Sequence, residues 1–545
     1  MLERVIENWL TSATEKTFQL PFCYILLSKG YKVVHLTRHC AMELGKDIIA
    51  IDPNGVPCAF QLKSVSTSRM TYSQWRDIQS QMLDLVHGRI VHPSVECDIP
   101  HRSYLVVNKG LDEEVIRSIQ DMNAGFLRMG LSTLEVISGG ELLSDAKTLG
   151  SSLWPSELSD TKSILELYLH NGSEPLPKMK LASLLKETFN IKEQEERLPS
   201  QAKLERLLSS GALLCSIATS SFSSKENYFA EVESWTIYLA YAIGLIDKWN
   251  LEERYWRSSV NLAFQALQDT LDNLYREITE KDSLFEGDKL TDKAFSFTQM
   301  RSTYVVAYMA IYSIILRMSE QNEKNQDKAA KIHDEIILKY KSQMLFWGES
   351  SVPFFLVYYW YWKVSGESSE SEKVIIKLLA DLCAENKPGS STAFCNPYYH
   401  LEELLPHLTG IAKAPIEDRF DGSSYMLQSL VSLCARRGLK ELISKTWKDI
   451  TYIKFKQFIP DNPDEFFHWR VKSGNNLTVM PTWTQSWKKL QEESNDIRMA
   501  QFPGAIERLF PFVLLFLLVL PHRTTNELVK YVDSKFDENT SSFVS

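Results

Sequence analysis

Residues 45–65 read GKDIIAIDPNGVPCAFQLKSV, and the way this stretch turns decides the fold of the chain's first quarter. Two apolar runs, around Ile48 to Ile51 and around Ala59 to Phe60, flank the sequence DPNG, yet Asp47, Gln61 and Lys63 stand among them. Pro53 supplies the fixed φ of a type I turn and Gly55 can take φ > 0, so the segment predicts a three-residue hairpin loop with a bulge. Asp52 then faces Val56. Counting back along an antiparallel pair sets Asp47 opposite Gln61, with Cβ atoms about 5 Å apart. Lys63 follows on the face of Gln61, because side chains alternate with period two. A two-residue loop would instead pair Asp47 with Phe60 and send Gln61 to the other face. The favoured turn therefore gathers three polar groups at the open end of one hairpin.

The surrounding sequence builds a mixed sheet. TEKTFQLPFCYILLSKGY, from Thr14 to Tyr31, carries apolar residues at helical spacing and stops at Gly30. YKVVHL follows as a strand, then the hairpin, then TYSQWRDIQSQMLDLVHGR as a helix closed by Gly88. SYLVVN (Ser103 to Asn108) reads as a buried strand, DEEVIRSIQDMNAGF as a helix, and STLEVIS as a strand ending at Gly139-Gly140. The predicted order is α-β-β-β-α-β-α-β, a sheet covered by helices.

After Leu149 the pattern changes. GSSLWPSELSD reads as a linker, and long helical segments follow: ENYFAEVESWTIYLAYAIGLIDKW, SVNLAFQALQDTLDNLYREITEKD and FTQMRSTYVVAYMAIYSIILRMSEQ. EQNEKNQDK and VSGESSESEK read as polar breaks, and DITYIKFKQFI, near Tyr452, as one short strand or a helix edge. The expected organisation is an α/β domain over residues 1–149 followed by an all-helical region over 150–545, with a further division near 450 as an alternative. The aromatic run PFFLVYYWYWK, Pro353 to Lys363, is read as the interior of a helix.

At 545 residues the chain exceeds what one core supports. Its net charge of -9 argues against a protein that coats nucleic acid by bulk electrostatics, while leaving room for a local basic groove. Charge is unevenly distributed: no acid occurs between Pro53 and Arg76, whereas Lys63, Arg69 and Arg76 are basic, and residues 112–114 read DEE. The eight cysteines form no CxxC pair, so neither a zinc site nor a disulfide framework is expected, and a reducing, cytoplasmic setting is. MLERVIENWL lacks the marks of a signal peptide. LFPFVLLFLLVLP, from Leu509 to Pro521, is shorter than a bilayer span and is expected to be a buried helix. No GxxxxGK[ST] loop occurs, so any ATP dependence must come from a partner protein such as an ATPase.

The order GKDIIAI then AFQLK, preceded by FQLPFCYILLSKGYKVV and followed by SYLVVN and LEVISGGELL, resembles the PD-(D/E)XK nuclease superfamily, and within it the Mrr-type restriction endonucleases with QxK as second motif. The resemblance covers roughly Glu3 to Leu143 and implies a restriction-endonuclease-like fold. It further implies a metal-dependent DNA endonuclease. Asp47 would be the anionic ligand of Mg²⁺ or Mn²⁺, Gln61 would offer its amide oxygen and Leu62 its backbone carbonyl, and Lys63 would stabilise the attacking hydroxide or the charge that builds on the phosphate. The glutamate that the family often carries on its first helix falls at Gln19, and Glu15, one turn earlier, is its candidate substitute. With Gln61 and Gln19 in place of acids, the expected metal affinity is weak.

Lys46, Arg69 and Arg76 are candidates for phosphate contacts, and His35 and His39 for DNA or metal, although lone histidines are more often structural. A nuclease domain fused to a long helical region further resembles effectors of bacterial antiviral defence or restriction. That likeness implies a helical region that restrains the nuclease or builds a homo-oligomer. Two other expectations remain open: a nuclease fold that binds without cutting, and cleavage of RNA.

Overall fold

A computed structural model describes residues 2–36, 46–92, 95, 100–150, 158–189, 199–280, 292–318, 323–386, 404, 422–458, 477–480, 486–497 and 510–543. The chain forms two compact units, Met1–Leu267 and Gln268–Ser545.

In the first unit the hairpin sits at the centre of a five-stranded sheet. Its strands are β1 (Lys32–Leu36), β2 (Ile48–Ile51), β3 (Pro57–Lys63), β5 (Arg102–Val107) and β7 (Leu134–Ile137), in the spatial order β1-β2-β3-β5-β7. Between them in sequence, the short strands β4 (Arg69–Met70) and β6 (Gly110–Leu111) form a separate parallel pair. β1, β2 and β3 run antiparallel, while β3, β5 and β7 run parallel. Parallel neighbours need long crossovers. Those crossovers carry α3 (Tyr72–His87) and α4 (Glu113–Arg128), which follow α1 (Leu2–Ser12) and α2 (Glu15–Ser28).

The turn is built as its residues require. Asp52 N–H donates to Val56 O at 2.9 Å, the Asp52 carboxylate accepts the N–H groups of Asn54 and Val56, and Gly55 takes φ +85°. α2 begins at a capping box made by Thr14 and Thr17 and ends ahead of Gly30, which takes φ +82°. α3 begins at a second capping box, between Thr71 and Gln74.

The sheet buries both faces. On one, Ile49, Ala59 and Leu105 pack with Trp75, Met82 and Leu85 of α3 and with Val115, Ile119 and Phe126 of α4. On the other, the Phe60 ring stacks on Tyr104 at 4.7 Å and meets Phe22 of α2 edge-on at 5.5 Å. Helices on both faces explain why β3 is buried at every position but Lys63.

The first unit continues beyond the sheet. α5 (Gly139–Gly150), α6 (Leu158–Tyr168), α7 (Lys178–Phe189), α8 (Gln201–Ala218), α9 (Ser220–Ser224) and α10 (Tyr228–Lys248) follow, and α11 (Glu253–Glu280) begins within it. The change of character near Leu149 is thus a change of secondary structure inside one compact unit. Most of the expected linker, residues 151–157, lies outside the described residues.

The second unit is largely helical. The aromatic run forms the helix Val352–Val364, buried along its whole length except at Lys363. The apolar segment near the C-terminus forms the short buried helix Val513–Val519, and among the described residues no helix is long and apolar enough to cross a membrane. A small three-stranded sheet joins Ser423–Ser424, Lys454–Phe458 and Leu477–Met480, so DITYIKFKQFI does supply a strand, paired on both sides.

Candidate active site

The polar residues of the hairpin meet where β2 begins and β3 ends. The regular ladder stops at Ile48 opposite Phe60. One residue earlier, Asp47 N–H donates to Phe60 O at 2.9 Å, and the side chain takes over from the backbone. Asp47 Oδ2 accepts Gln61 Nε2 at 2.7 Å and the Leu62 backbone N–H at 2.6 Å. Asp47 and Gln61 are therefore in contact as expected, through their side chains and not through a further rung of the ladder. Gln61 and Lys63 continue the face of Ala59, with Lys63 only 15% exposed along its side chain.

α2 brings two more groups to this end of the sheet. Gln19 Nε2 donates to Asp47 O at 3.2 Å. Glu15 Oε1 accepts Ser64 N–H at 3.3 Å, and Glu15 Oε2 lies 3.7 Å from Lys63 Nζ. Five residues from two distant segments, Glu15, Gln19, Asp47, Gln61 and Lys63, thus converge on one corner. They divide into two sets: Asp47 with Gln61 and Gln19, and Lys63 with Glu15. In the second set Glu15 offsets the charge that Lys63 would deliver to an anion.

Gln61 Oε1 is buried and has no hydrogen-bond partner. The N–H and C=O of a strand residue point to the same side, so the Leu62 carbonyl, like its N–H, faces Asp47. A carboxylate, an orphaned amide oxygen and a backbone carbonyl are hard oxygen donors and fit Mg²⁺ or Mn²⁺ in type. They supply a single full negative charge, and among the described residues no group of three or more His, Cys, Asp or Glu side chains is arranged to hold a metal ion. The fit is to a weakly held ion that keeps most of its water.

The basic candidates separate. Arg69 and Arg76 are exposed. Lys46 is 4% exposed; burial lowers its pKa, and Asp84 partly opposes the shift. Its ammonium group is not presented to solvent as the two arginines are. His35, opposite Ile49 on β1, has its ring centroid 5.6 Å from that of His92, a residue that the sequence did not single out. Burial and the His35 ring both lower the His92 pKa. His39 lies outside the described residues.

Sequence reasoning also missed Asn108. Its buried side chain accepts Val65 N–H at 2.8 Å and donates to Leu10 O at 3.2 Å and to Ala13 O at 3.1 Å. One amide ties the end of α1, the segment leading into α2 and the chain just past β3. That places Asn108 in support of the corner where Glu15 and Lys63 meet. All three partners are far from it in sequence, so no local signal marks it.

Comparison of the chain with protein-family models, with curated proteins and with solved structures found no match. The architecture itself is a mixed five-stranded sheet flanked by helices, followed by a largely helical chain.

Proposed function

We propose that the chain is a metal-dependent phosphodiesterase of the PD-(D/E)XK type that cuts DNA, with its helical region acting in regulation or self-association. The observation that carries this reading is the convergence of Asp47, Gln61 and Lys63 of the hairpin with Glu15 and Gln19 of α2. The sheet order, an antiparallel β1-β2-β3 followed by parallel β5 and β7, supports it as well.

In this reading Asp47, Gln61 and Leu62 hold Mg²⁺ or Mn²⁺, which when bound supplies an activated water and neutralises charge on the phosphate. Gln19 fixes the backbone carbonyl of Asp47 and so orients the carboxylate. Lys63 places its ammonium group against the phosphate oxygens, where charge develops. Substrate phosphate competes with Glu15 for that lysine. The exposed Arg69 and Arg76 add phosphate contacts along the acid-free stretch. A place among effectors of antiviral defence or restriction belongs to the same proposal, as do self-association and a partner ATPase.

One observation favours a second reading. Asp47 Oδ2 already has two donors, so its charge is met without a cation, as suits a nuclease fold that binds without cutting. Incubating the full chain with plasmid and Mg²⁺ or Mn²⁺ decides between them. Metal-dependent nicking that Lys63→Met removes supports the enzyme; no nicking in either metal, with DNA still retained, supports the binding protein.

A further inference from the structure

The second unit contains, among the described residues, a charged cluster in which the terminal nitrogens of one guanidinium make no hydrogen bond. Arg436 and Arg437 close the helix Leu427–Arg436, and Asp533 and Asp537 lie on the helix Asn526–Phe543. Every oxygen of the two carboxylates is engaged. Asp533 Oδ1 accepts Trp360 Nε1 at 3.2 Å and Lys363 Nζ at 2.9 Å, and Asp533 Oδ2 accepts Arg437 Nε at 2.9 Å and Nη2 at 2.6 Å. Asp537 Oδ1 lies 2.8 Å from Lys363 Nζ, and its Oδ2 2.6 Å from Arg437 Nη2. Two cations thus occupy the carboxylate oxygens, and Arg436, although the Asp533 charge reaches it, hydrogen-bonds to neither carboxylate.

Both Nη atoms of Arg436 are shut off from solvent and make no hydrogen bond. Burial lowers its pKa and Asp533 only partly opposes the shift, whereas the hydrogen-bonded Arg437 is raised in spite of its burial. Lys530, on the helix of Asp533, stands near enough to Arg436 that the guanidinium lowers its pKa too, after burial. The Lys530 ammonium group is held by the carbonyls of Asn495 and Ile497, which carry no full charge, while Asp496 pulls the other way. A buried guanidinium without an acceptor is costly, and a bound anion is one way to offset that cost.

We infer that Arg436, with Lys530 beside it, is a binding site for a small oxyanion group, phosphoryl or carboxylate, in the second unit. A guanidinium presents its two terminal nitrogens as a planar fork, which matches two oxygens carried on one phosphorus or carbon. Lys530 supplies the second positive charge such a group needs. The site stands apart from the hairpin chemistry and holds whether or not the first unit cuts DNA.

The test is thermal unfolding of the full chain in sodium phosphate, sodium acetate and sodium chloride at equal ionic strength, for wild type, Arg436→Met and Arg436→Lys. Phosphate also stabilises proteins by general exclusion, so the readout is the increment over chloride in wild type minus that in the variant. Wild type should gain roughly 5 °C near saturation, Arg436→Met should lose that increment, and Arg436→Lys, which keeps charge without the fork, should retain only part. Arg436→Met removes two buried nitrogens that have no acceptor and keeps an apolar chain of similar length, so it is expected to fold. A specific increment in phosphate alone identifies a phosphoryl ligand, and one in acetate as well admits a carboxylate. Equal increments in wild type and Arg436→Met, in both anions, overturn the assignment.

Discussion

Gln61 Nε2 donates to Asp47 Oδ2 at 2.7 Å, so a neutral amide stands where a second carboxylate would need a cation between it and the first. Two carboxylates this close cannot both ionise cheaply, whereas an amide can meet the aspartate with its nitrogen, or a cation with its oxygen. Gln61→Glu should therefore bind Mg²⁺ more tightly and be less stable without it. The raised carboxyl pKa of the pair lies above its unfolded value of about 4. Destabilisation is then absent at low pH and grows as pH rises through the folded value. Melting in EDTA should show a deficit against wild type that is larger at pH 8 than at pH 4 and that Mg²⁺ reverses. A deficit independent of both pH and Mg²⁺ would remove the Asp47–Gln61 pair as a metal site.

Asp47 also has a structural task, which separates two of its variants. Asp47→Ala strips the acceptor from the Leu62 N–H in a buried strand, a loss of about 1–3 kcal/mol. Asp47→Asn keeps an acceptor oxygen and removes the charge. Denaturant unfolding should find Asp47→Asn closer to wild type than Asp47→Ala, while a nicking assay should find both inactive. Cutting by Asp47→Asn at the wild-type rate would remove the carboxylate from the chemistry.

Lys63 contributes little to the fold, since its partner Glu15 is 3.7 Å away and 39% exposed. Lys63→Met should leave the melting temperature nearly unchanged and lower any nicking rate by about 100-fold or more. Glu15→Gln frees Lys63 from its counter-charge and should tighten DNA binding, read as retention on duplex at fixed salt. Tighter binding by Lys63→Met, or weaker binding by Glu15→Gln, contradicts the competition between Glu15 and phosphate.

The hairpin was legible in the sequence because its determinants are local. Pro53 and Gly55 set the loop, the loop sets the register, and the register brings Gln61 to Asp47. Helix ends at Gly30 and Gly88 were legible for the same reason. Glu15 and Gln19 could be placed near Asp47 only through the family resemblance, since nothing in α2 itself points to a strand nearly thirty residues on. The β4–β6 pair, the His35–His92 contact and Asn108 join segments that share no pattern. The fate of Lys46 was hidden because a lysine beside an aspartate reads as surface until the packing around it is known.

Asn108 offers a test of how the site is held. Asn108→Ala deletes three buried hydrogen bonds and leaves the Val65 N–H without an acceptor, at a cost of about 3 kcal/mol. Because these bonds fix the approach of α2 to the end of β3, the variant should lose nicking activity even at temperatures where it remains folded. Activity per folded molecule, with the folded fraction taken from circular dichroism at the same temperature, is the measurement. A variant destabilised by the expected amount but fully active would limit Asn108 to stability.

The boundary of the first unit predicts how truncations behave. A division at residue 149 leads to the expectation of a monomeric, nearly inactive nuclease fragment, with self-association residing in the remainder. Within the first unit, however, α2 is covered by helices that come after that point. The buried Tyr24 hydroxyl donates to Ser259 O at 3.0 Å, and its ring stacks on Trp235 at 6.3 Å. Ser210 Oγ donates to Leu149 O at 3.1 Å, and Arg206 Nη2 to Thr148 O at 2.6 Å. Cutting at 149 leaves Tyr24 without its cover and exposes an apolar face on the helix that carries Glu15 and Gln19, which favours aggregation. The fragment 1–149 should therefore be poorly soluble or partly unfolded, whereas 1–267, which ends where the compact unit ends, should fold cooperatively. Light scattering on 1–267 and on the full chain then tests self-association without that confusion: a monomeric 1–267 beside an oligomeric full chain assigns assembly to the second unit. A soluble 1–149 fragment that melts as cooperatively as 1–267 would show that the later helices are dispensable to the sheet.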